Sequence, residues 1–328
     1  MKASNNTVKS LTRRRFIVLA GVAGTVPLIG GMGRASENMA PVTWHGSALG
    51  AEASIQLYHE DVKWAQRHLL RCQNEIVRLE NLFSLYRPQS EISQLNNQGV
   101  LDNPSIEFLT LLSRAMAFSK NSNGIFDVTV QPLWQLYTKH FSNPAADTNG
   151  PSQSEIDRTL RLVGSEKIVL DTDRISFNKA GMGLTLNGVA QGFITDRITE
   201  ILRSAGFENV MVSLGENFAI GSKPDGEDWR AGITSPVDGD TIAQTVSLKD
   251  KALATSGGYG SPFATNSTAN HLLNPTTGKS AAIKASVSVI ADTATTADMV
   301  STALCLMSKS EGMSLVRKTS GVDQVIYI

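Results

Sequence analysis

The spacing of apolar residues changes once along this chain, and that change restricts the fold class more than any other feature. Early apolar positions recur at helical period. Trp64, Leu69, Cys72, Ile76, Leu79 and Phe83 share one face of a helix that Asp61 caps and that runs to about Tyr86. Ser90 starts a short helix, and another runs from Ser105 to about Ser119. Later, short alternating or wholly apolar runs take over: V-M-V-S-L (210–214), several strands between 229 and 256, and Q-V-I-Y-I (324–328). A-S-I-Q-L-Y (53–58) and the stretches 167–170 and 174–177 are earlier strands, and F-D-V-T-V (126–130) reads as a strand or turn. Residues 142–155 read as a surface loop, with Ser154 capping a helix to Val163. A Gly-rich turn (180–192) opens a helix that Gly206 closes, and further helices fall at about 294–308 and 311–319. Helices gathered early and strands late, with hairpin-like spacings, give an α+β fold rather than a doubly wound parallel sheet.

The N-terminus reads as an address. T-R-R-R-F-I-V (12–18) leads into an apolar run from Phe16 to Ile29, and small Gly33 and Ala35 follow. A basic start, a short apolar run and a small-residue exit make a secretory signal. The run is too short for the ~20 apolar residues that span a bilayer. The Arg pair before Phe16 resembles a twin-arginine export signal over residues 1–35, which leaves 36–328 as one domain. The expected location is a bacterial periplasm, in solution or associated with the inner membrane. Removing 1–35 leaves 24 basic against 30 acidic side chains, a net charge of −6. An acidic body argues against a nucleic-acid partner, which needs basic residues to displace phosphate counterions. The two cysteines, Cys72 and Cys305, lie within helical patterns and read as buried small hydrophobes before they read as a disulfide.

The chain has no G-x-x-x-x-G-K-[ST], no G-x-S-x-G and no H-E-x-x-H, and G-M-G-L-T-L (181–186) fails the dinucleotide fingerprint at its last position. Four local features remain, each with a structural as well as a functional reading. L-N-G-V-A-Q-G (186–192) is either a tight turn or a backbone cradle at a helix start, where free N–H groups receive anions. A-T-S-G-G-Y (254–259) is a loop with two hydroxyls and a Tyr. In H-L-L-N-P-T-T-G (271–278), His271 stands before a turn, in a structural or a catalytic position. In T-T-A-D-M-V-S-T-A-L (295–304), Asp298 and Thr302 are four apart, so their oxygens leave one helix face, with Thr295 a turn earlier. That is a helix cap with a back-bonded Thr, or a hard-cation pair suited to Mg2+ beside phosphate oxygens.

Taken in order, these segments resemble the ApbE-type FAD:protein FMN transferases over about residues 44–328. S-A-L-G-A (47–51) is similar to the family's M-G-T. F-S-L-Y-R-P-Q-S-E-I-S-Q-L-N (83–96) resembles S-x-Y-x-x-x-S-x-[IL]-x-x-[IL]-N, and G-I-F-D-V-T-V-Q-P-L (124–133) resembles G-A-F-D-x-T-x-x-P-L. L-T-L-N-G-V-A-Q-G-F-I-T-D (184–196) is similar to L-D-L-G-G-I-A-K-G-Y-A-x-D. The segments at 254–259, 271–278 and 297–304 resemble A-T-S-G-D-Y, H-I-I-D-P-x-T-G and A-D-A-x-A-T-A-L. The resemblance implies a two-lobed α+β fold with antiparallel or mixed sheets, packed helices and an active site between the lobes. It implies FAD contacts at Leu49, Tyr86, Ile125, Phe126, Asp127, Thr185, Gln191 and His271. It implies Mg2+ held by the Gly188 carbonyl, Asp298 and Thr302, with Thr295 nearby, and a reaction-centre role for His271. Gln191 stands in place of Lys, Thr185 and Asn274 in place of Asp, and G-E-N-F (215–218) in place of G-G-D-I. The Glu after Gly215, with the export signal, is similar to the branch that flavinylates the membrane regulator of nitrous-oxide reductase.

The implied activity is Mg2+-dependent transfer of FMN from FAD to a Thr or Ser hydroxyl of a client protein, with release of AMP. The expected client is a membrane-bound electron-transfer protein with an exported FMN-binding domain. His271 would take the hydroxyl proton, an imidazole's reference pKa being about 6.5, with Asn274 orienting it as a neutral partner. Two other readings stay open at this point: an exported FAD carrier, and a Mg2+-dependent FAD pyrophosphatase that passes FMN to water.

Overall fold

A computed structural model describes residues 39–237 and 241–328. The signal-like segment 1–35 lies outside them. Strands β1 (Val42–Ala48) and β2 (Ala51–Leu57) form a hairpin, followed by helix α1 (Val62–Phe83). Helix α2 (Glu91–Gln98), strand β3 (Val100–Asp102), and helices α3 (Ile106–Asn121), α4 (Gln131–Phe141) and α5 (Gln153–Leu160) come next. Strands β4 (Ile168–Leu170) and β5 (Arg174–Phe177) then lead to α6 (Ala190–Ser204). The second half holds β6 (Val210–Ser213), β7 (Asn217–Ile220), β8 (Trp229–Thr234), β9 (Ile242–Leu248) and β10 (Ala252–Gly257). It ends with β11 (Ser286–Ala291), α7 (Ala294–Leu304), α8 (Lys309–Lys318) and β12 (Val322–Tyr327).

The main sheet has seven strands in the order β1-β2-β6-β7-β10-β11-β12, and every pairing in it is antiparallel. Its central strands are buried on both faces, which is why V-M-V (210–212) is apolar without a break. Strand alternation divides their side chains between two cores. Val210, Val212, Phe218, Ala252, Ala254, Val287 and Val289 face α1, α6 and α7. Met211, Ala219, Leu253 and Ile290 face the β8–β9 hairpin and its Trp229, Ile233 and Leu248. A third, smaller core joins α4 and α5 to the long excursion between β10 and β11 through Leu133, Tyr137, Ile156, Ala269 and Leu273. The Tyr137 hydroxyl donates to the Gly278 carbonyl at 3.0 Å and fixes that excursion.

Several helix starts follow from their caps. Asp61 accepts from the Trp64 N–H at 2.9 Å, Ser90 from Ser93 at 3.2 Å and Ser105 from Phe108 at 3.2 Å. Ser152 and Ser308 form capping boxes with Glu155 and Glu311. The first of these moves the cap of α5 two residues ahead of Ser154.

Other expectations also need correction. Helix α1 ends at Phe83, so Tyr86 lies in the loop beyond it. Trp64 is on the exposed side of α1, with its ring 4.3 Å from that of His68, because Ala65 takes the inward position. The V-T-V of 128–130 is a 3-10 turn leading directly into α4, whose Pro132 sits in the first turn, where a missing N–H costs nothing. Strands β1, β3, β7 and β11 were not read from the sequence. Both cysteines are buried and neither forms a disulfide, and burial pushes the Cys72 thiol up to about 12, so it stays protonated.

Candidate active site

The Gly-rich turn and the first turns of α6 run along α7 from its C-terminal end toward its start. A Cβ on Gly188 would come within 3.2 Å of both Oγ1 and Cγ2 of Thr302, and 3.4 Å from the Phe126 ring. A glycine is therefore what lets the backbone at 188 lie against the α7 hydroxyl. One turn along each helix, the Gly192 N–H donates to Asp298 Oδ2 at 3.2 Å. Asp298 is 1% exposed. Thr302 also shares a 3.2 Å hydrogen bond with Ser256 Oγ, which in turn meets Ser301 Oγ at 2.9 Å. The hydroxyl pair of A-T-S-G-G-Y thus divides: Ser256 faces α7, whereas Thr255 meets Ser288 across the sheet at 2.7 Å.

The donor set suits a hard cation. Asp298 brings a carboxylate, Thr302 a hydroxyl, and the Gly188 backbone, which packs against that residue, could add its carbonyl. All are oxygen, and they are fewer than the six Mg2+ requires, which leaves coordination positions for phosphate and water. Among the described residues, no cluster of three or more His, Cys, Asp or Glu forms an all-protein metal cage. Thr295 is buried, and its hydroxyl proton goes to Asp196 Oδ2 at 2.5 Å.

A cleft of about 310 Å3 opens at Asn187, the residue before Gly188. It lies where the main core, through Leu85, meets the small one, through Trp134. Tyr86 and Trp134 supply its rings. Ser93, Asn96, Asn97, Gln131, Gln135 and Asn187 supply neutral donors and acceptors, and among the described residues no charged side chain lines it. A neutral amide rim with aromatic walls matches a flat heterocycle better than a phosphate. Asn96 also braces the Gly-rich turn, accepting from the Leu184 N–H at 2.6 Å and donating to its carbonyl at 2.8 Å.

The remaining residues singled out in the sequence sit around this centre. Leu49 has φ 46° and Gly50 φ 75° at the β1–β2 turn, the two positive values a tight hairpin demands. Leucine is rare there; its N–H is held by Glu80 Oε1 at 2.7 Å, and Glu80 also binds Arg87 beside Tyr86. Phe126 is buried edge-on against Phe118, and Ile125 is half-buried beside it. Asp127 turns inward and accepts from Thr129 N–H and Oγ1 at 2.8 and 2.5 Å, Ser165 N–H at 2.8 Å and Ser119 Oγ at 3.2 Å. Its carboxylate holds the turn that presents Ile125 and Phe126. Thr185 donates its N–H to the Val128 carbonyl at 2.8 Å, and its Oγ1 accepts from Asn187 at 3.3 Å. Gln191 lies against Gly215, where a Cβ would come within 2.5 Å of its Nε2, and buried Glu216 follows.

His271 is half-buried on the excursion between β10 and β11, its N–H on the Ser261 carbonyl at 3.2 Å. The expected orienting partner is used elsewhere. Asn274 Oδ1 accepts from the N–H groups of Thr276 and Thr277 at 2.8 and 3.0 Å, so it shapes the turn. The anchor is a residue that the sequence did not mark, Asn270, which is fully buried. It donates to the Ala281 carbonyl at 2.7 Å and packs under Gly258, two residues beyond Ser256. Trp134 was missed too, because it sits on the unread helix α4.

The family model described as the ApbE family matches residues 49–326. The chain is 29% identical over 281 residues, 82% of each sequence, to the FAD:protein FMN transferase of Vibrio cholerae. It is 29% identical to the Haemophilus influenzae protein of the same name, over 72% of this chain and 71% of that one. Among solved structures, the Vibrio cholerae flavin transferase ApbE superimposes with a TM-score of 0.72 at 25% identity, covering 88% of this chain and 97% of that one. The ApbE protein of Thermotoga maritima gives a TM-score of 0.76 at 27% identity, covering 88% and 94%. The matched span takes in the ring-lined cleft, the glycine cradle and the acid–hydroxyl pair of α7, and the chain belongs to the ApbE family.

Proposed function

We propose that this protein transfers FMN from FAD to a Thr or Ser hydroxyl of a client protein, using a divalent cation and releasing AMP. The observation that carries the reading is the approach of Gly188 to Thr302, one turn from Asp298, together with a cleft lined by Tyr86 and Trp134 that reaches Asn187, the residue before Gly188.

The rings of Tyr86 and Trp134 offer faces to a flat heterocycle, and the amides around them supply hydrogen bonds that cost no charge desolvation. Asp298, Thr302 and the Gly188 carbonyl would hold Mg2+. When bound, the cation would supply positive charge against the diphosphate and the departing AMP. In phosphoryl transfer, positioning and charge neutralisation do most of the catalysis. The acceptor oxygen bonds to the FMN phosphorus as the bond from that phosphorus to the AMP oxygen breaks, and His271 takes the hydroxyl proton. Asn270 holds the backbone next to His271, while Asn274 keeps the following turn closed.

The twin-arginine-like segment supports export to a periplasm, in solution or near the inner membrane. Glu216 after Gly215, together with the export-like segment, supports a client that is a membrane-bound electron-transfer protein, as in the nitrous-oxide-reductase branch. Pure protein incubated with FAD and Mg2+, with and without a Thr-bearing client, tests the reading. AMP together with covalently flavinylated client is the expected result. AMP with free FMN in both incubations would make the protein a pyrophosphatase, and unchanged FAD would make it a carrier.

A further inference from the structure

The contacts between the Gly-rich turn, α6 and α7 form one antiparallel ladder. Gly188 faces Thr302, Gly192 binds Asp298, and Asp196 binds the start of α7. Each rung moves four residues forward on one strand of the ladder and about four back on the other, one helical turn at a time. The rung farthest from the cleft is the firmest. Asp196 accepts from the N–H of Ala294 at 2.7 Å, and from the N–H and hydroxyl of Thr295 at 2.9 and 2.5 Å. With Thr293 accepting from Thr296 at 3.2 Å, the first three amides of α7 are satisfied. The middle rung sets the separation of the helices. A Cβ on Gly192 would lie 2.4 Å from the Ala294 carbonyl oxygen, which is backbone and cannot move aside.

We propose that Asp196 and Gly192 are positioning residues whose rungs fix the register of α7, so that Asp298 and Thr302 meet the Gly188 backbone as one divalent-cation site. The inference rests on the cation reading above and assigns the site's geometry to residues that need not touch the ion. Asp196 also places a negative charge at the N-terminus of α7, where the helix dipole favours it. An Asn there would set an NH2 group against an amide it must accept from.

The test is binding of Mn2+, as a paramagnetic substitute for Mg2+, to the full chain with saturating FAD and no client. Asp298→Ala should abolish site-specific Mn2+ binding. Asp196→Asn and Gly192→Ala should each weaken it about 10- to 100-fold, the usual cost of losing a group that orients a metal ligand. Flavin fluorescence titrated without metal should report unchanged FAD affinity in Asp196→Asn, a result that general damage to the fold would not give. If Asp298→Ala binds Mn2+ normally, the cation reading itself fails. If Asp298→Ala loses the ion while a folded Asp196→Asn binds it like the parent, the cation reading stands and the ladder is overturned. Should Asp196→Asn not fold, Gly192→Ala decides by the same comparison.

Discussion

The two halves of the site are built in opposite ways. Where α6 meets α7, Gly192, Thr295 and Asp298 are buried, Gly188, Asp196 and Thr302 are half-buried, and carboxylates grip backbone amides at fixed distances. Along the cleft, Tyr86 is 63% exposed, Trp134 is half-buried, and the rim consists of neutral amides. The difference follows from what each half would hold. A diphosphate with a cation rewards prearranged oxygens, because charge needs fixed partners once water is excluded. A flat ring gains mainly from contact area, and side chains that adjust on binding can provide it. Substitutions in the first half should therefore act on turnover, and those in the second on affinity for FAD.

Asp298→Ala should have the largest effect. Covalent flavin on a client should fall by at least ~100-fold, the scale for losing a main source of transition-state charge stabilisation, while a flavin-fluorescence titration without metal finds FAD still bound. Gly188→Ala comes next. The new methyl would press on Thr302 at 3.2 Å, and overpacking of this kind costs about 1–3 kcal/mol. Transfer should fall by roughly 10-fold or more, with a lowered melting temperature in calorimetry. Equal loss of FAD affinity in both variants would erase the proposed division.

Trp134→Ala should act on the other half. Stacking of a base on an aromatic ring is worth about 1–3 kcal/mol, so the Kd for FAD should rise about 5- to 100-fold while kcat at saturating FAD changes little. The opposite pattern, unchanged Kd with lost kcat, would place Trp134 with the reacting groups. The smallest effect lies outside the site. Glu75, hydrogen-bonded by Arg78 at 2.8 Å and Arg197 at 3.1 Å, is held down at about 2. Its folded-state pKa is depressed, so its contribution is complete above the ordinary carboxylate value and is lost as pH falls from about 4.5 toward 2. Both arginines are well exposed to solvent, so screening keeps that contribution to about 1 kcal/mol or less. Glu75→Gln should flatten this part of the stability curve in acid and leave transfer at neutral pH unchanged.

What the sequence revealed tracks how local each determinant is. Helices α1, α2 and α3 were legible because apolar period and a capping side chain agree within a few residues. Helix α4 was not, since V-T-V before Gln131 looks like a strand, and only packing of Leu133 and Tyr137 into the small core shows otherwise. Strand β1 hides because it is a largely exposed edge. The Asp298–Thr302 pair could be read from its four-residue spacing alone. Asp196 could not, because its partners lie about 100 positions away and only the crossing of α6 and α7 brings them together. Asn270 and Asn274 illustrate the same limit. Two asparagines near one histidine look alike in sequence, yet one anchors the segment and the other shapes a turn.

The central claim is that a divalent ion sits where the Gly-rich turn meets α7. Anomalous diffraction from crystals grown with Mn2+ and FAD tests it most directly. One strong peak is expected, bounded by the Asp298 carboxylate, the Thr302 hydroxyl and the Gly188 carbonyl, in contact with the FAD diphosphate. A peak elsewhere, with the diphosphate following it, would contradict the account.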